Sequence, residues 1–102
     1  TEEFVFTSGQ IPLNPENGEL VTEISAAARQ SLNNIKAILE ESGSSLDKVI
    51  KCTVFLADIN DFAAVNEVYK EFFDEHKPAR SAIQVAALPL GAPLEIEAIA
   101  SL

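Results

Sequence analysis

Hydrophobic residues in this chain recur at two different periods, and the period changes several times along the sequence. From Thr22 to Ser42 they fall at steps of three and four residues, which predicts an amphipathic helix that Thr22 can cap at its start and Gly43 at its end. A second pattern of this kind begins at Asp58 or Asn60 and ends before Pro78. The two apolar stripes consist of Ile24, Ala28, Leu32, Ile35 and Leu39, and of Phe62, Val65, Tyr69 and Phe72.

Four segments with the two-residue period of β-strands surround these helices. We predict strands at Phe4–Gly9, Lys48–Ala57, Arg80–Leu88 and Leu94–Leu102. The apolar faces of the second and fourth strands consist of Ile50, Cys52, Val54 and Leu56, and of Leu94, Ile96, Ala98, Ala100 and Leu102. The order β-α-β-α-β-β predicts one domain over residues 1–102, an α/β sandwich whose helices cover one sheet face. The opposite face of the sheet must then be exposed to solvent or covered by another surface.

The acidic charge balance argues against several classes of partner. Sixteen acids against seven bases give a net charge of −9. Such a surface repels phosphate backbones and anionic membranes, so we expect neither a nucleic-acid nor a membrane partner. Hydrophobic residues nevertheless make up 47% of the chain. A domain this small can leave part of that surface uncovered, and oligomerisation is one remedy.

The single cysteine and the single histidine limit the cofactor chemistry. Cys52 cannot form an internal disulfide, and with His76 it cannot complete a zinc site of the usual Cys/His kind, so we predict no metal. Cys52 falls on an apolar strand face, as a core residue does. The scattered glycines form no phosphate-binding loop, so we predict no nucleotide cofactor. The first residues show no secretory signal, and we expect a cytoplasmic protein. The alternative is an organellar protein whose targeting segment preceded Thr1.

Arg80 and the pair Glu95 and Glu97 carry the most informative chemistry. Arg80 follows Pro78 and precedes a strand, and its planar guanidinium can bind a carboxylate through two parallel hydrogen bonds. The alternative is an ordinary surface or ion-pairing arginine. Two glutamates about 7 Å apart on one strand face can perform acid–base chemistry when burial separates their pKa values. The alternative there is a solvated strand face.

Short motifs along the whole chain are similar to those of one protein family. The first half contains FTSGQIP at 6–12 and QSLNNIKAIL at 30–39. The second half contains VFLADINDF at 54–62, PARS at 78–81, VAALP at 85–89 and EIEAIA at 95–100. In these motifs and in their order the chain resembles the Rid family of reactive intermediate deaminases, also called the YjgF family.

The resemblance implies a fold, an assembly and an activity. The fold is a chorismate-mutase-like α/β sandwich with a mixed sheet and two helices on one face. It assembles as a homotrimer whose active sites lie in clefts between subunits, with the sheets lining the interior. The activity is hydrolysis of 2-imino acids, such as 2-iminopropanoate and 2-iminobutanoate, to 2-keto acids and ammonia. The resemblance implies no cofactor, and small imino and keto acids are the implied ligands.

Individual site residues are implied by the same motifs. Arg80 matches the arginine that binds the substrate carboxylate, and Glu95 matches the acid that positions or activates the attacking water. Ser8-Gly9 matches pocket residues after the first strand. Asn66 matches a supporting asparagine. Ala82 occupies a position where many relatives carry cysteine, and there its backbone N–H is expected to face the substrate while a thiol mechanism is excluded.

One departure from the family pattern concerns the N-terminus. Relatives carry a further N-terminal segment with a Gly-Pro-Tyr motif whose tyrosine lines the pocket, and the present sequence begins after it. Tyr69 is the only tyrosine and matches a helix position instead. We therefore expect an N-terminally truncated form, in which the first strand of the family sheet can be missing as well. Because the absent tyrosine lines the pocket in relatives, its absence bears on whether this form is active.

Two functions of different kinds fit the resemblance. The first is a cofactor-free imine deaminase. The second is a non-catalytic module of the same fold that binds small carboxylates, or unfolded clients as a holdase does. Arg80 would serve both, and only turnover separates them. A third function, a nuclease or translation inhibitor, conflicts with the net charge of −9 and with the lack of a basic or metal-binding cluster.

Overall fold

A computed structural model describes residues 3–102, and their elements follow the predicted order. The strands are β1 (Phe4–Phe6), β2 (Val49–Leu56), β3 (Ala79–Gln84) and β4 (Leu94–Ser101), and the helices are α1 (Ile24–Glu41) and α2 (Phe62–Phe72). Short 3-10 turns at Leu46–Lys48, Ile59–Asp61 and Pro89–Gly91 precede β2, α2 and β4. The chain is therefore an α+β domain with the element order β-α-β-α-β-β.

The four strands form one mixed sheet in the order β1-β4-β2-β3. β4 runs antiparallel to both of its neighbours, whereas β2 and β3 are parallel. Parallel strands need a long crossover connection, and α2 provides it. As a result β3 lies at the edge of the sheet and has a neighbouring strand on one side only.

Both helices pack on the same face of the sheet, as the sequence predicts. Fully buried side chains of α1, among them Leu32 and Ile35, meet the inward side chains of β4, among them Leu94 and Ile96. α2 contributes Val65, Val68 and Tyr69 to the same core. Burial along β4 alternates strictly between buried and half-buried residues. This alternation explains the two-residue period in its sequence, because successive side chains of a strand point to opposite faces of the sheet.

The helix ends differ in detail from the prediction. Glu23, and not Thr22, caps α1, because the Glu23 carboxylate accepts a hydrogen bond of 2.6 Å from the Ala26 N–H. A carboxylate at this position also complements the positive end of the helix dipole. Gly43 closes α1 with φ of +89°, a left-handed conformation that favours glycine.

The start and the end of α2 also need correction. Asp58 caps only the 3-10 turn, where its side chain accepts a hydrogen bond of 2.9 Å from the Asn60 N–H. The α-helix itself begins at Phe62 and ends at Phe72, well before Pro78. The proline therefore does not terminate the helix.

The first strand is shorter than predicted, because it ends at Phe6 rather than at Gly9. The Thr7 hydroxyl accepts a hydrogen bond of 3.0 Å from the Ala98 N–H, where a regular ladder would use a backbone carbonyl. Pairing resumes at an isolated bridge between Gln10 and Ile96. Here a side-chain oxygen replaces a backbone carbonyl as the acceptor for an N–H group. A hydrophobic pattern does not reveal such a replacement, so it does not predict where the strand ends.

The third strand is also shorter, because it ends at Gln84 rather than at Leu88. Its neighbour β2 ends at Leu56, and the Leu56 carbonyl accepts the last cross-strand hydrogen bond, from the Val85 N–H. The predicted last core residue of β4, Leu102, instead lies beyond the strand and is exposed.

A β-bulge at the start of β2 reverses the predicted orientation of Ile50. The register with β4 shifts between Val49 and Lys51. Val49 therefore enters the core at 1% exposure, whereas Ile50 is 46% exposed. Beyond the bulge, Cys52 and the alternate residues after it are buried as predicted. One extra residue in a strand reverses the sheet face to which every preceding side chain of that strand points.

No helix within residues 3–102 covers the second face of the sheet. By strand register this face carries Phe4, Phe6, Thr53, Phe55, Ile83, Glu95, Glu97 and Ile99. Phe6 is 63% exposed, and Phe4 and Ile83 are exposed as well. Large apolar side chains concentrated on an open sheet face are typical of a surface that another protein surface covers.

We expect Leu32→Ala to lower the free energy of unfolding by about 2–5 kcal/mol, because a fully buried leucine leaves a cavity when it is truncated. Urea unfolding followed by circular dichroism measures this change. The neighbouring exposed Asn33 provides the control, and Asn33→Ala should change the same free energy by less than about 0.5 kcal/mol. Equal losses in the two variants would contradict the assignment of the core.

Candidate functional site

Arg80 lies at the edge of the sheet on the face that the helices cover. In β3 it pairs with Cys52 of β2, whose side chain points into the core, so the Arg80 side chain leaves the sheet on the side of α2. Phe62, Asn66 and Tyr69 follow one another in α2 at steps of four and three residues, and they share one helix face. The strand edge and this helix face together form one half of the candidate site.

Three contacts hold the Arg80 guanidinium. Its Nη1 donates a hydrogen bond of 2.6 Å to Asn66 Oδ1. Its central carbon lies 5.0 Å from the ring centroid of Phe62 and 4.7 Å from that of Tyr69. Both distances are within the range of cation–π attraction, and the planar guanidinium stacks on rings better than an ammonium group does.

The positive charge of Arg80 has no carboxylate partner among the described residues. The ion pairs found there join Arg29 to Glu71 and Lys70 to Glu67. The hydrogen bond to Asn66 uses one nitrogen of the guanidinium and leaves other N–H donors in their fixed fork geometry. Arg80 can therefore bind a small carboxylate through two parallel hydrogen bonds.

Ala82 lies two residues further along β3 on the same face as Arg80. The Val85 N–H donates to the Leu56 carbonyl across the β2–β3 pair. Because successive N–H groups alternate between the two edges of a strand, the Ala82 N–H points to the free edge of the sheet. Arg80 and Ala82 line one hollow at this edge.

Two hollows share Arg80 as a lining residue. One has a volume of about 390 Å³ and is lined by Ile59, Phe62 and Ala82 as well. The other has a volume of about 440 Å³ and lies along the C-terminal half of α2, where Asn66 and Tyr69 also line it. Both volumes are within the usual range for small-molecule sites.

Glu95 forms a second group with Ser8 and Gly9. Gln10 and Ile96 exchange two backbone hydrogen bonds, of 2.7 and 3.1 Å, which fix the segment before Gln10 beside β4. A Cβ atom added to Gly9 would lie 2.6 Å from Oε1 of Glu95, so a larger residue would displace the carboxylate. The Ser8 carbonyl accepts a hydrogen bond from the Gln10 side chain, and Ser8 itself is exposed.

The structure separates these two groups of predicted site residues. Arg80 aligns with Ala98 across the sheet, whereas Glu95 is three residues away along β4 and points to the opposite face. The strand spacings place the Arg80 and Glu95 Cα atoms about 14 Å apart. One copy of the chain therefore brings Arg80, Asn66 and Ala82 together, and brings Ser8, Gly9 and Glu95 together, but does not join the two groups around one small ligand.

Tyr69 and Cys52 lie beneath Arg80 in the core. Burial raises the pKa of the Cys52 thiol to about 11, and the neighbouring Tyr69 hydroxyl and Arg80 oppose this only in part. Burial also raises the pKa of Tyr69. The thiol is a weak hydrogen-bonding partner, and the buried Tyr69 hydroxyl has no stronger one. Cys52 is thus a neutral core residue, as the sequence predicts.

Residues 3–102 contain neither a metal-binding cluster nor a membrane-spanning helix. Their His, Cys, Asp and Glu side chains form no group of three or more that could hold a metal ion. None of their helices has both the length and the apolar character that crossing a bilayer requires.

Comparison with known proteins identifies the family. The family described as Endoribonuclease L-PSP matches residues 1–102. The 2-iminobutanoate/2-iminopropanoate deaminase of Escherichia coli K12 is 52% identical over 99 residues, which cover 94% of this chain and 77% of the relative. Protein HMF1 of Saccharomyces cerevisiae is 55% identical over 97 residues, or 95% and 75% of the two chains. The chain belongs to this family, which is the Rid (YjgF) family that its motifs resemble.

Solved structures agree with this assignment. The crystal structure of E. coli TdcF with bound serine superposes with a TM-score of 0.94 at 54% identity, covering 98% of this chain and 81% of TdcF. The YjgF gene product of E. coli gives a TM-score of 0.93 at 51% identity, covering 97% and 80%. The fold predicted from the family resemblance is therefore confirmed.

Sequence reasoning missed the aromatic residues around Arg80. The hydrophobic pattern places Phe62 and Tyr69 on the apolar stripe of the second helix, and Tyr69 is indeed buried. Their rings also contact the guanidinium. The steps of four and three from Phe62 through Asn66 to Tyr69 were a usable signal, because they place the predicted supporting asparagine between two rings on one helix face.

We expect the free energy of unfolding to fall as the pH rises from about 9 to about 11. The fold favours the neutral Cys52 thiol, so its stabilising effect is complete below pH 9, the ordinary pKa, and is lost as the pH approaches the raised pKa of about 11. Urea unfolding at a series of pH values measures this decline. In Cys52→Ala the decline should be smaller, with Tyr69 responsible for the remainder, and an identical decline would contradict the prediction.

Proposed function

We propose that this chain hydrolyses 2-imino acids, such as 2-iminopropanoate and 2-iminobutanoate, to 2-keto acids and ammonia. The observation that carries the proposal is the Arg80 guanidinium, which Asn66 and two rings hold at the sheet edge without a carboxylate partner in the described chain. Such a group fits the carboxylate that every 2-imino acid carries. A relative named 2-iminobutanoate/2-iminopropanoate deaminase, at 52% identity, supports the same substrate class.

Each site residue receives a role in this proposal. Arg80 binds the substrate carboxylate, and the outward N–H of Ala82 donates a further hydrogen bond. Asn66 holds Arg80 in position. Glu95 orients a water molecule toward the imine carbon, with Ser8-Gly9 shaping the pocket around it.

The chemistry then needs only positioning and proton transfer. A protonated imine carbon is electrophilic, and a water oxygen that attacks it gives up a proton to Glu95. Glu95 returns this proton to the nitrogen of the resulting carbinolamine. The carbon–nitrogen bond then breaks while the hydroxyl gives up its proton to Glu95, which forms the 2-keto acid and ammonia. Glu95 finally passes that proton to the ammonia, so that ammonium leaves and the carboxylate is restored. Orientation and general acid–base catalysis each accelerate such steps by orders of magnitude.

We further propose that two copies of the chain build each site. Arg80 and Glu95 lie on opposite sheet faces about 14 Å apart, which is too far for one small imino acid. A homotrimer with cyclic symmetry solves this, because each copy then supplies Arg80 to one cleft and Glu95 to the next. The exposed Phe4, Phe6 and Ile83 on the open face support an assembly that covers them.

A non-catalytic carboxylate-binding module is the second candidate. Arg80 would serve it equally well, and the relative TdcF has been solved with bound serine, which also carries a carboxylate. The nuclease activity in the family description is less compatible with this chain, since a net charge of −9 opposes binding of a polyanion. Turnover of an imine decides between catalysis and binding.

We expect Arg80→Ala to lower kcat/KM for 2-iminopropanoate at least about thirtyfold, because the substrate carboxylate loses a charged hydrogen-bond partner. Release of pyruvate from the imine generated in situ measures this, with spontaneous hydrolysis subtracted. Arg29→Ala is the matched control, because Arg29 is the other arginine and pairs with Glu71 on the exposed side of α1. A folded Arg80→Ala protein with most of its activity would remove Arg80 from the mechanism.

Mixing two inactive variants tests the shared site. We expect Arg80→Ala and Glu95→Ala each to be inactive, and their co-refolded equimolar mixture to regain activity, since about a quarter of the clefts then receive both native residues. Light scattering on the same samples should give the mass of a trimer. No recovery in mixed trimers would show that both residues act from one chain.

A further inference from the structure

Three of the seven basic residues of this acidic chain line one hollow. They are Lys70, Lys77 and Arg80, and the hollow is the one of about 440 Å³ beside α2. None of its lining residues within the described chain is acidic. The other lining residues are Asn66, Tyr69, Phe73 and Pro78. A net charge of −9 makes such a concentration of positive charge a local exception, and a concave site lined by one sign of charge attracts the opposite sign.

The two lysines stand close to the proposed carboxylate-binding group. Lys70 follows Asn66 by four residues in α2, so their Cβ atoms are about 5–6 Å apart. Asn66 in turn is hydrogen-bonded to Arg80. Lys77 comes from the loop immediately before β3 and reaches the same hollow from the side of the strand.

The present partners of these lysines leave their charges available. Lys70 Nζ lies 3.4 Å from Glu67 Oε1, and both side chains are more than half exposed, which makes this a weak ion pair. Lys77 Nζ donates a hydrogen bond of 3.1 Å to the Asp74 carbonyl, which does not neutralise an ammonium group. Both flexible side chains can turn toward an anion in the hollow.

The hollow on the other flank of Arg80 has a different character. Ile59, Phe62 and Ala82 line it, and among the described residues that line it Arg80 alone carries a charge. It suits an alkyl side chain. The Lys70–Lys77 hollow instead combines cations with a floor formed by the rings of Tyr69 and Phe73, whose centroids are 4.7 Å apart. Such a lining suits a short methylene chain that ends in an anionic group.

We propose that the Lys70–Lys77 hollow binds a second carboxylate, so that this chain favours imino and keto acids of the dicarboxylic type over those with plain alkyl side chains. The proposal rests on the function proposed above for Arg80, which binds the first carboxylate of the same ligand. The lysines are specificity-determining residues in this arrangement and take no part in the chemical step.

Lys70 also has a structural role, which the test must distinguish from binding of the second carboxylate. It lies in the last turn of α2, where a positive charge complements the helix dipole. Loss of that role would weaken the binding of every ligand to a similar degree. A change in the preference between two ligands therefore reports the second-carboxylate site and is insensitive to helix stability.

Binding of two keto acids of equal chain length tests the proposal directly. 2-Oxopentanoate and 2-oxoglutarate differ only in the terminal carboxylate, and calorimetry on the native protein gives both dissociation constants. We expect 2-oxoglutarate to bind about three- to tenfold more tightly, and Lys70→Gln/Lys77→Gln to remove this preference. The control Arg29→Gln/Lys36→Gln removes the same charge from α1 and should retain it. Equal binding of the two acids, or a preference that survives in the lysine variant, would overturn the proposal.

Turnover of the corresponding imines shows which of the two proposals is wrong, the second-carboxylate site or the deaminase activity. If 2-iminopentanoate is hydrolysed but the dicarboxylic ligand has no advantage, the second site is wrong and the deaminase stands. If neither imine is hydrolysed while the lysine-dependent binding preference is found, the hollow is a dicarboxylate site and the proposed catalysis is wrong.

Discussion

The antiparallel pairing of β2 with β4 at the centre of the sheet determines most of the other features. This ladder fixes which side chains face the helices and which face outward. Its inward residues, such as Val54 and Ile96, complete the core with α1 and α2. The same alternation sends Glu95 to the uncovered face, while the parallel pairing of β3 sends Arg80 to the helix face. The division of the candidate site into two halves is thus a consequence of strand parity rather than of any loop.

The sequence predicted the fold well where hydrophobic periodicity is strong. It predicted strand ends and strand register less well, because individual backbone or side-chain contacts determine them. The strict alternation in β4 and the stripe of α1 gave the right elements. The bulge that exposes Ile50 is a local shift in strand register, and the hydrogen bond to the Thr7 hydroxyl at the end of β1 involves a single side chain. A pattern of polar and apolar residues contains neither. The same holds for the distance between Arg80 and Glu95, because sequence motifs carry no information on register between strands that are far apart in the chain.

The contacts of Arg80 with an asparagine and two rings would lower the entropic cost of binding a carboxylate. A free arginine side chain loses considerable rotamer freedom when it binds a carboxylate. For Arg80 the contacts with Asn66, Phe62 and Tyr69 already restrict that freedom within the chain itself. The buried Tyr69 hydroxyl has no strong hydrogen-bond partner among residues 3–102, whereas the face of the ring contacts the Arg80 guanidinium.

The free edge of β3 has a consequence for the chain outside any assembly. N–H and C=O groups that point away from β2 are available to a ligand, but they are equally available to the edge of another strand. β3 is short and carries Arg80 close to its start, and both features limit edge-to-edge pairing. Unassembled copies that expose this edge together with Phe6 and Ile83 combine two determinants of aggregation. If the proposed trimer covers these groups, dilution or slow assembly would therefore lower the solubility of the chain.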